Sequence, residues 1–170
     1  QAITKILQKL EKVYYINPNE NINNVIKTIK ENPDLPFTTS TLQQKAYNEI
    51  GFSIKQTMSV AQELYEKGFI TYMRTDNTSI NPSMSEKIKE YIANEYENRY
   101  VNSGTIKSKI QKNAQQAHEA IRPTDLTKEI GKLSDLCKKL YMLIFKRTIA
   151  SFMTPCIYEE LNLNIYNKRL

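Results

Sequence analysis

Cysteine, histidine, glycine and proline are all scarce in this chain of 170 residues. Two cysteines, Cys137 and Cys156, are too few for a disulfide framework or a zinc site, and a single histidine adds little metal-binding capacity. Four glycines and six prolines argue against a many-turned β architecture and favour helices. No apolar run approaches the ~20 residues that a membrane span requires, and the N-terminus lacks the build of a signal peptide. What is present is ordinary for a folded domain, with 40% hydrophobic and 25% charged residues. These absences predict a soluble, cytoplasmic, mostly helical protein without a metal site of its own.

The formal charge of +6 is unevenly placed. Residues 101–150 hold ten lysines and arginines against four acids, whereas the rest of the chain is close to neutral. Such a stretch suits a phosphate backbone. Charge alone fits a solvated lysine-rich surface equally well.

Along the chain, Ile3, Ile6, Leu7 and Leu10 recur at helical spacing and predict a short helix over 2–12. Val13 to Ile16 reads as a strand stopped by Asn17-Pro18-Asn19. Residues 22–31 fit either a helix or a strand. After Pro36, Thr39 or Ser40 can cap a helix running to Ile50, and Gly51 can supply a left-handed turn. Ser53 caps a second helix with Ile54, Met58, Ala61, Leu64 and Tyr65 as its apolar stripe. Gly68 ends that helix, and Phe69 to Met73 reads as a strand of β-branched and aromatic residues. Helix, turn, helix and strand is the order of a winged-helix core. A third helix opens at Pro82 and buries Met84, Ile88, Tyr91, Ile92 and Tyr96. A basic loop over 98–112, a short helix over 115–121, a central helix over 133–152 and a closing strand over 157–166 complete the reading. The fold class expected is α+β, mainly helical, with β segments at both ends and a helical middle.

Three stretches carry the chemistry: Pro36 to Gln44, Gly68 to Asp76, and His118 to Thr124. In an extended segment Tyr72 and Arg74 share one face. A phenol beside a guanidinium can act as a nucleophile with a phosphate anchor. Only about one tyrosine in a thousand is ionised at pH 7, and a nearby cation favours the phenolate. A guanidinium also matches a phosphate through two parallel hydrogen bonds. Against this, the chain has 11 tyrosines, and most tyrosines simply pack. His118 and Arg122, four apart on a short helix, would face the same way and could hold a phosphate. Alternatively, Arg122 pairs with Glu119. Asp76 can orient Arg74, or Asp76-Asn77-Thr78 can merely form a turn.

Taken together, Gly68-Phe69-Ile70-Thr71-Tyr72-Met73-Arg74-Thr75-Asp76 and Ala117 through Pro123 resemble the signatures of type IA DNA topoisomerases, in the bacterial topoisomerase I branch. Met73 before Arg74 is similar to that branch, whereas topoisomerase III relatives more often carry proline there. Asn77 stands where serine is usual. The resemblance spans about Pro36 to Pro155, and more loosely the flanks.

It implies that Tyr72 attacks a phosphodiester of single-stranded DNA, giving a 5′-phosphotyrosine intermediate, with Arg74 stabilising the charge that develops on the phosphate. It further implies that His118 and Arg122 hold the DNA backbone, with Thr75 and Asp76 as supporting residues of that DNA-binding set. The architecture implied is a winged-helix-like domain over 37–152, inserted between 1–36 and a return strand over 153–170 of an arch domain. Type IA enzymes use magnesium in a separate acidic domain. Here the only adjacent acids are Glu159-Glu160, which point to opposite faces of a strand, so no cofactor is expected in this stretch. The partners expected are single-stranded DNA and the remaining domains of the same polypeptide, with no membrane. The alternative is a non-catalytic winged-helix DNA-binding module inserting helix 53–67 into a groove, although Glu63 and Glu66 make that face acidic.

Overall fold

The computed structural model describes residues 14–16, 26–102, 119–161 and 165–167. The expected helix over 2–12, residues 103–118 and the strand positions 162–164 lie outside the described residues. The chain divides into two compact units, one formed by 1–31 with 156–170 and the other by Asn32–Pro155.

The described residues of the first unit form four strands. β1 (Tyr14–Ile16) pairs antiparallel with β4 (Ile165–Asn167), and β2 (Ile26–Glu31) pairs antiparallel with β3 (Cys156–Leu161). The register of the second pair sets Lys27 opposite Glu160 and Ile29 opposite Tyr158. The ambiguity over 22–31 therefore resolves to strand from Ile26 onward. Pairing across more than a hundred residues decided it, where local propensity did not.

The described residues of the second unit form four α-helices. α1 (Thr39–Ile50) starts at the N-cap Thr38, one residue earlier than expected. The Thr38 hydroxyl accepts the Thr41 N–H and the Thr41 hydroxyl accepts the Thr38 N–H, a reciprocal cap. Gly51, at φ +71°, turns the chain out of α1. Ser53 then caps α2 (Ile54–Glu66) through the Gln56 N–H. The buried stripe of α2 is Thr57, Val60, Ala61 and Leu64. Ile54 and Tyr65, expected inside, are exposed because they sit at the flanks of that stripe and at the ends of the helix.

α3 (Pro82–Tyr96) opens on Asn81, whose side chain accepts the Ser83 N–H. It buries Met84, Ile88 and Ile92, while Tyr96 in its last turn is exposed. A 3-10 turn, Asn98–Tyr100, follows. α4 (Asp135–Ala150), capped by Ser134, is the central helix and buries seven side chains along its length. α1 and α2 pack on α4 around a core that includes Leu42, Leu64, Leu140 and Ile144. The C-terminal end of α4 packs Ile149, with the following Phe152, against Ile88 and Ile92 of α3.

Two expectations in this unit are corrected. Phe69 to Met73 is not a strand of a sheet. It is an extended segment with bends at Thr71 and Met73 and a single bridge, Ile70 to Pro123. Glu119 to Ile121 is not helical either. The Ala120 N–H donates to the Ser79 carbonyl and the Ile121 N–H to the Phe37 carbonyl, so the donors a helix would use are spent on other segments. Pro36 and Phe37, at the start of the unit, and Phe152, near its end, are buried within it.

Candidate active site

The three sequence stretches meet in space. Phe37 bridges Ile121, and Ile70 bridges Pro123, so 119–124 runs between the other two segments. Single bridges are weak by themselves, and hydroxyl groups reinforce the junction. The Thr71 N–H donates to the Arg122 carbonyl at 2.9 Å, and the Thr71 hydroxyl donates to the Ala120 carbonyl at 2.7 Å. That hydroxyl also accepts the Arg122 N–H at 3.0 Å. Two residues on, the Thr124 N–H donates to the Phe69 carbonyl and the Thr124 hydroxyl to the Gly68 carbonyl at 2.7 Å. Lys128 donates to the same Gly68 carbonyl at 2.8 Å and lies over the Phe69 ring at 4.3 Å. On the opposite side, Thr39 of α1 donates its N–H to the Thr75 carbonyl and its hydroxyl to the Met73 carbonyl, both at 2.8 Å.

This lacing holds 72–76 as a period-two segment. Met73 and Thr75 point into the unit and are buried, while Tyr72, Arg74 and Asp76 point outward. Buried Phe37, Ile70, Met73 and Ile121 form the floor. The Tyr72 side is thus open to a ligand: the residue is 38% exposed. Its ring meets the Tyr65 ring edge-on, with centroids 5.3 Å apart and planes at 66°. Tyr65 was read from sequence as an apolar-stripe residue; no local pattern signals that it touches a residue seven positions on, beyond the end of its helix.

The remaining expected site residues fall differently. Among the described residues, Arg74 and Asp76 form no ion pair with each other. Thr75 is buried, and its hydroxyl accepts the Asn77 N–H at 3.1 Å. The Asn77 carboxamide then accepts both the N–H and the hydroxyl of Ser79, which makes 75–79 a self-bonded turn. Arg122 has a side chain only 12% exposed, donating to Glu119 at 2.6 Å and to the Pro123 carbonyl at 2.9 Å. The Glu119 pairing weighed from sequence is the one formed. His118 lies outside the described residues.

No three His, Cys, Asp or Glu side chains cluster as a cation site among the described residues. Glu159 and Glu160 are exposed neighbours in β3, opposite Thr28 and Lys27, and so do not converge on one ion. The residues described here thus do not fit the magnesium that the resemblance implies. No described helix is long and apolar enough to cross a membrane.

An outward tyrosine and arginine on a short segment braced from both sides define a site suited to covalent attack on an anionic backbone. The family model described as DNA topoisomerase matches residues 1–169, and the chain belongs to that family, in its type IA bacterial topoisomerase I branch. DNA topoisomerase 1 of Escherichia coli K12 is 37% identical over 168 residues, which are 97% of this chain and 19% of that protein. DNA topoisomerase 1 of Thermotoga maritima is 46% identical over 140 residues, covering 75% of this chain and 22% of that protein. The solved structure of full-length topoisomerase I from Thermotoga maritima matches with a TM-score of 0.74 at 36% identity, covering 97% of this chain and 27% of that one. The chain therefore spans about a fifth of the curated relatives it matches.

Proposed function

We propose that this chain is the DNA-cleaving and rejoining part of a type IA topoisomerase. The Tyr72 hydroxyl attacks phosphorus in single-stranded DNA. A bond forms between the phenol oxygen and phosphorus, the bond from phosphorus to the 3′-oxygen breaks, and the leaving oxygen takes a proton as the phenol loses one. The product is a 5′-phosphotyrosine link and a free 3′-hydroxyl. Because the link keeps a phosphodiester, the reverse attack reseals the strand without a nucleotide. Arg74 sits beside the reacting phosphate and neutralises the charge that grows on its oxygens. His118 and Arg122 hold the backbone on either side, Arg122 through the guanidinium N–H groups beyond its bonds to Glu119 and Pro123. Thr75 and Asp76 keep the segment in place.

The observation that carries this reading is the shared outward direction of Tyr72 and Arg74 on a segment laced to both other stretches. The architecture we infer is a winged-helix-like unit, with α1, the Gly51 turn and α2 as its helix-turn-helix, inserted into an arch domain. The division of the chain into Asn32–Pro155 and the two flanking stretches supports that insertion. Proton transfer and magnesium belong to the rest of the polypeptide in this proposal, so the chain alone does not relax supercoiled DNA.

A purely DNA-binding module is less well supported. Both acids on the outward face of α2 are already engaged, Glu63 with the C-cap Lys67 at 2.5 Å and Glu66 with the Gln62 amide at 2.7 Å, which takes two donors away from a groove. The test is Tyr72→Phe in the complete enzyme. The expected result is no covalent protein–DNA adduct with single-stranded DNA affinity retained. An undiminished adduct would remove Tyr72 from the mechanism.

A further inference from the structure

We propose that Thr39 is a positioning residue for Arg74, acting through the backbone on both sides of it. The inference rests on the reading of Arg74 as the group that meets the phosphate.

Four hydroxyl residues stand in a row at the start of α1, and the structure divides their work. Thr38 and Thr41 cap each other's N–H groups and close the end of the helix. Thr39, the first helical residue, is left to reach outward from the helix. Its N–H is one of the donors that the first turn cannot satisfy internally, and it goes to the Thr75 carbonyl at 2.8 Å. Its hydroxyl carries one proton and accepts another. It donates to the Met73 carbonyl at 2.8 Å, with the Thr75 carbonyl further away at 3.1 Å, and accepts the Thr75 N–H at 2.9 Å.

The Met73 carbonyl belongs to the peptide plane before Arg74, and the Thr75 N–H to the plane after it. Peptide planes are rigid, so fixing both fixes the two backbone dihedrals of Arg74 and with them the direction in which its side chain leaves the chain. Among the described residues no other contact supplies that direction. Among the described residues the Arg74 guanidinium has no hydrogen bond or ion pair, and the residue is exposed. An arginine that must wait for a phosphate cannot be held by a permanent partner at its tip. Holding it at its root leaves all five N–H donors for the ligand. The same contact ties α1 to the reactive segment, so any shift of that helix moves Arg74.

The test uses the complete enzyme and the rate of covalent adduct formation with an end-labelled single strand. Thr39→Val keeps the shape and removes the hydroxyl; Thr39→Ala carries the same test if the valine variant does not fold. Thr39→Ser restores the hydroxyl. The expected result is adduct formation slowed on the order of 10–100-fold by valine, with strand affinity within about twofold and serine within about threefold of the parent. The deciding measurement repeats Thr39→Val in an Arg74→Ala background, where the loss should shrink to less than about twofold. An equal loss in that background would show a merely structural role and overturn the inference, as would no loss in the parent. Should Arg74→Ala itself leave adduct formation unchanged, the reading of Arg74 fails first, which separates the two failures.

Discussion

The Thr71 hydroxyl stands between two groups of the facing segment, donating to Ala120 at 2.7 Å and accepting the Arg122 N–H at 3.0 Å. It thereby does in one side chain what a second strand pair would do in a sheet. The residue after it is Tyr72, so this oxygen, together with the Thr71 N–H bond to the Arg122 carbonyl, fixes the chain immediately before the candidate nucleophile.

Replacing Thr71 by valine keeps the volume and leaves the Arg122 N–H without its partner in a half-buried place. An unsatisfied buried donor costs about 1–3 kcal/mol. Urea unfolding of the chain should show a loss in that range for Thr71→Val and a much smaller one for Thr71→Ser. A loss for Thr71→Ser larger than that for Thr71→Val would mean that the methyl group, not the hydroxyl, does the work.

Arg147 separates two kinds of interaction in one residue. Its guanidinium donates to Asp34 at 2.7 Å and lies over the Phe37 ring at 4.5 Å, with only 14% of its side chain exposed. The Asp34 side chain is 72% exposed, so the charge pair is well screened and worth roughly 0–1 kcal/mol. Stacking on Phe37 and the buried stem add about 1–2 kcal/mol. Asp34→Ala should therefore cost less than Arg147→Ala, and its cost should fade at high salt, whereas most of the Arg147→Ala cost should remain. Unfolding curves at low and high sodium chloride would check both.

The helices were legible because they obey local rules. Apolar spacing, with the Ser53 cap for α2 and Pro82 for the start of α3, places α2, α3 and α4 without reference to anything distant. The active segment was not legible in that way. Phe, Ile, Thr and Tyr between 69 and 73 have strand chemistry, yet their partners arrive as isolated bridges and threonine hydroxyls. Glu119 to Ile121 was drawn toward helix by composition, and lost it to the carbonyls of Phe37 and Ser79, which lie forty and more residues away. That Pro36 to Gln44, Gly68 to Asp76 and the end of the third stretch share one site was suggested by resemblance alone. Periodicity placed Tyr72 and Arg74 on one side of the chain, but could not say that this side faces out.

Gly51 offers a nearly pure measurement of backbone strain. It sits at φ +71° and nothing lies within 4 Å of where a Cβ would be built. Gly51→Ala therefore meets no clash and costs about 1 kcal/mol for the left-handed conformation alone. Asparagine, which tolerates that conformation better, should cost less. Denaturant midpoints for the two variants would check the order, and a larger loss for asparagine would point to a neighbour in the turn.

The sharpest solution prediction concerns pH. Tyr141 on α4 is buried, with its hydroxyl donating to the Asp125 carbonyl at 3.2 Å. Burial, with the nearby Asp125 charge adding to it, pushes the phenol up to about 12 from its ordinary value near 10. The folded chain thus holds this proton more tightly than the unfolded one. Its contribution to stability is fully present below pH 10 and is lost as pH rises from there through 12. Buried Cys137, whose thiol is also raised chiefly by burial, acts in the same direction at alkaline pH, so the measurement must be a difference. Tyr141→Phe should be less stable than the parent at pH 8, by about 1 kcal/mol for the lost hydrogen bond. The gap should then narrow as pH climbs, because phenylalanine has no proton to lose. Unfolding midpoints of both chains at half-unit steps from pH 8 to 11.5 would show the convergence, whereas parallel curves would mean that Tyr141 ionises as easily inside the fold as outside it.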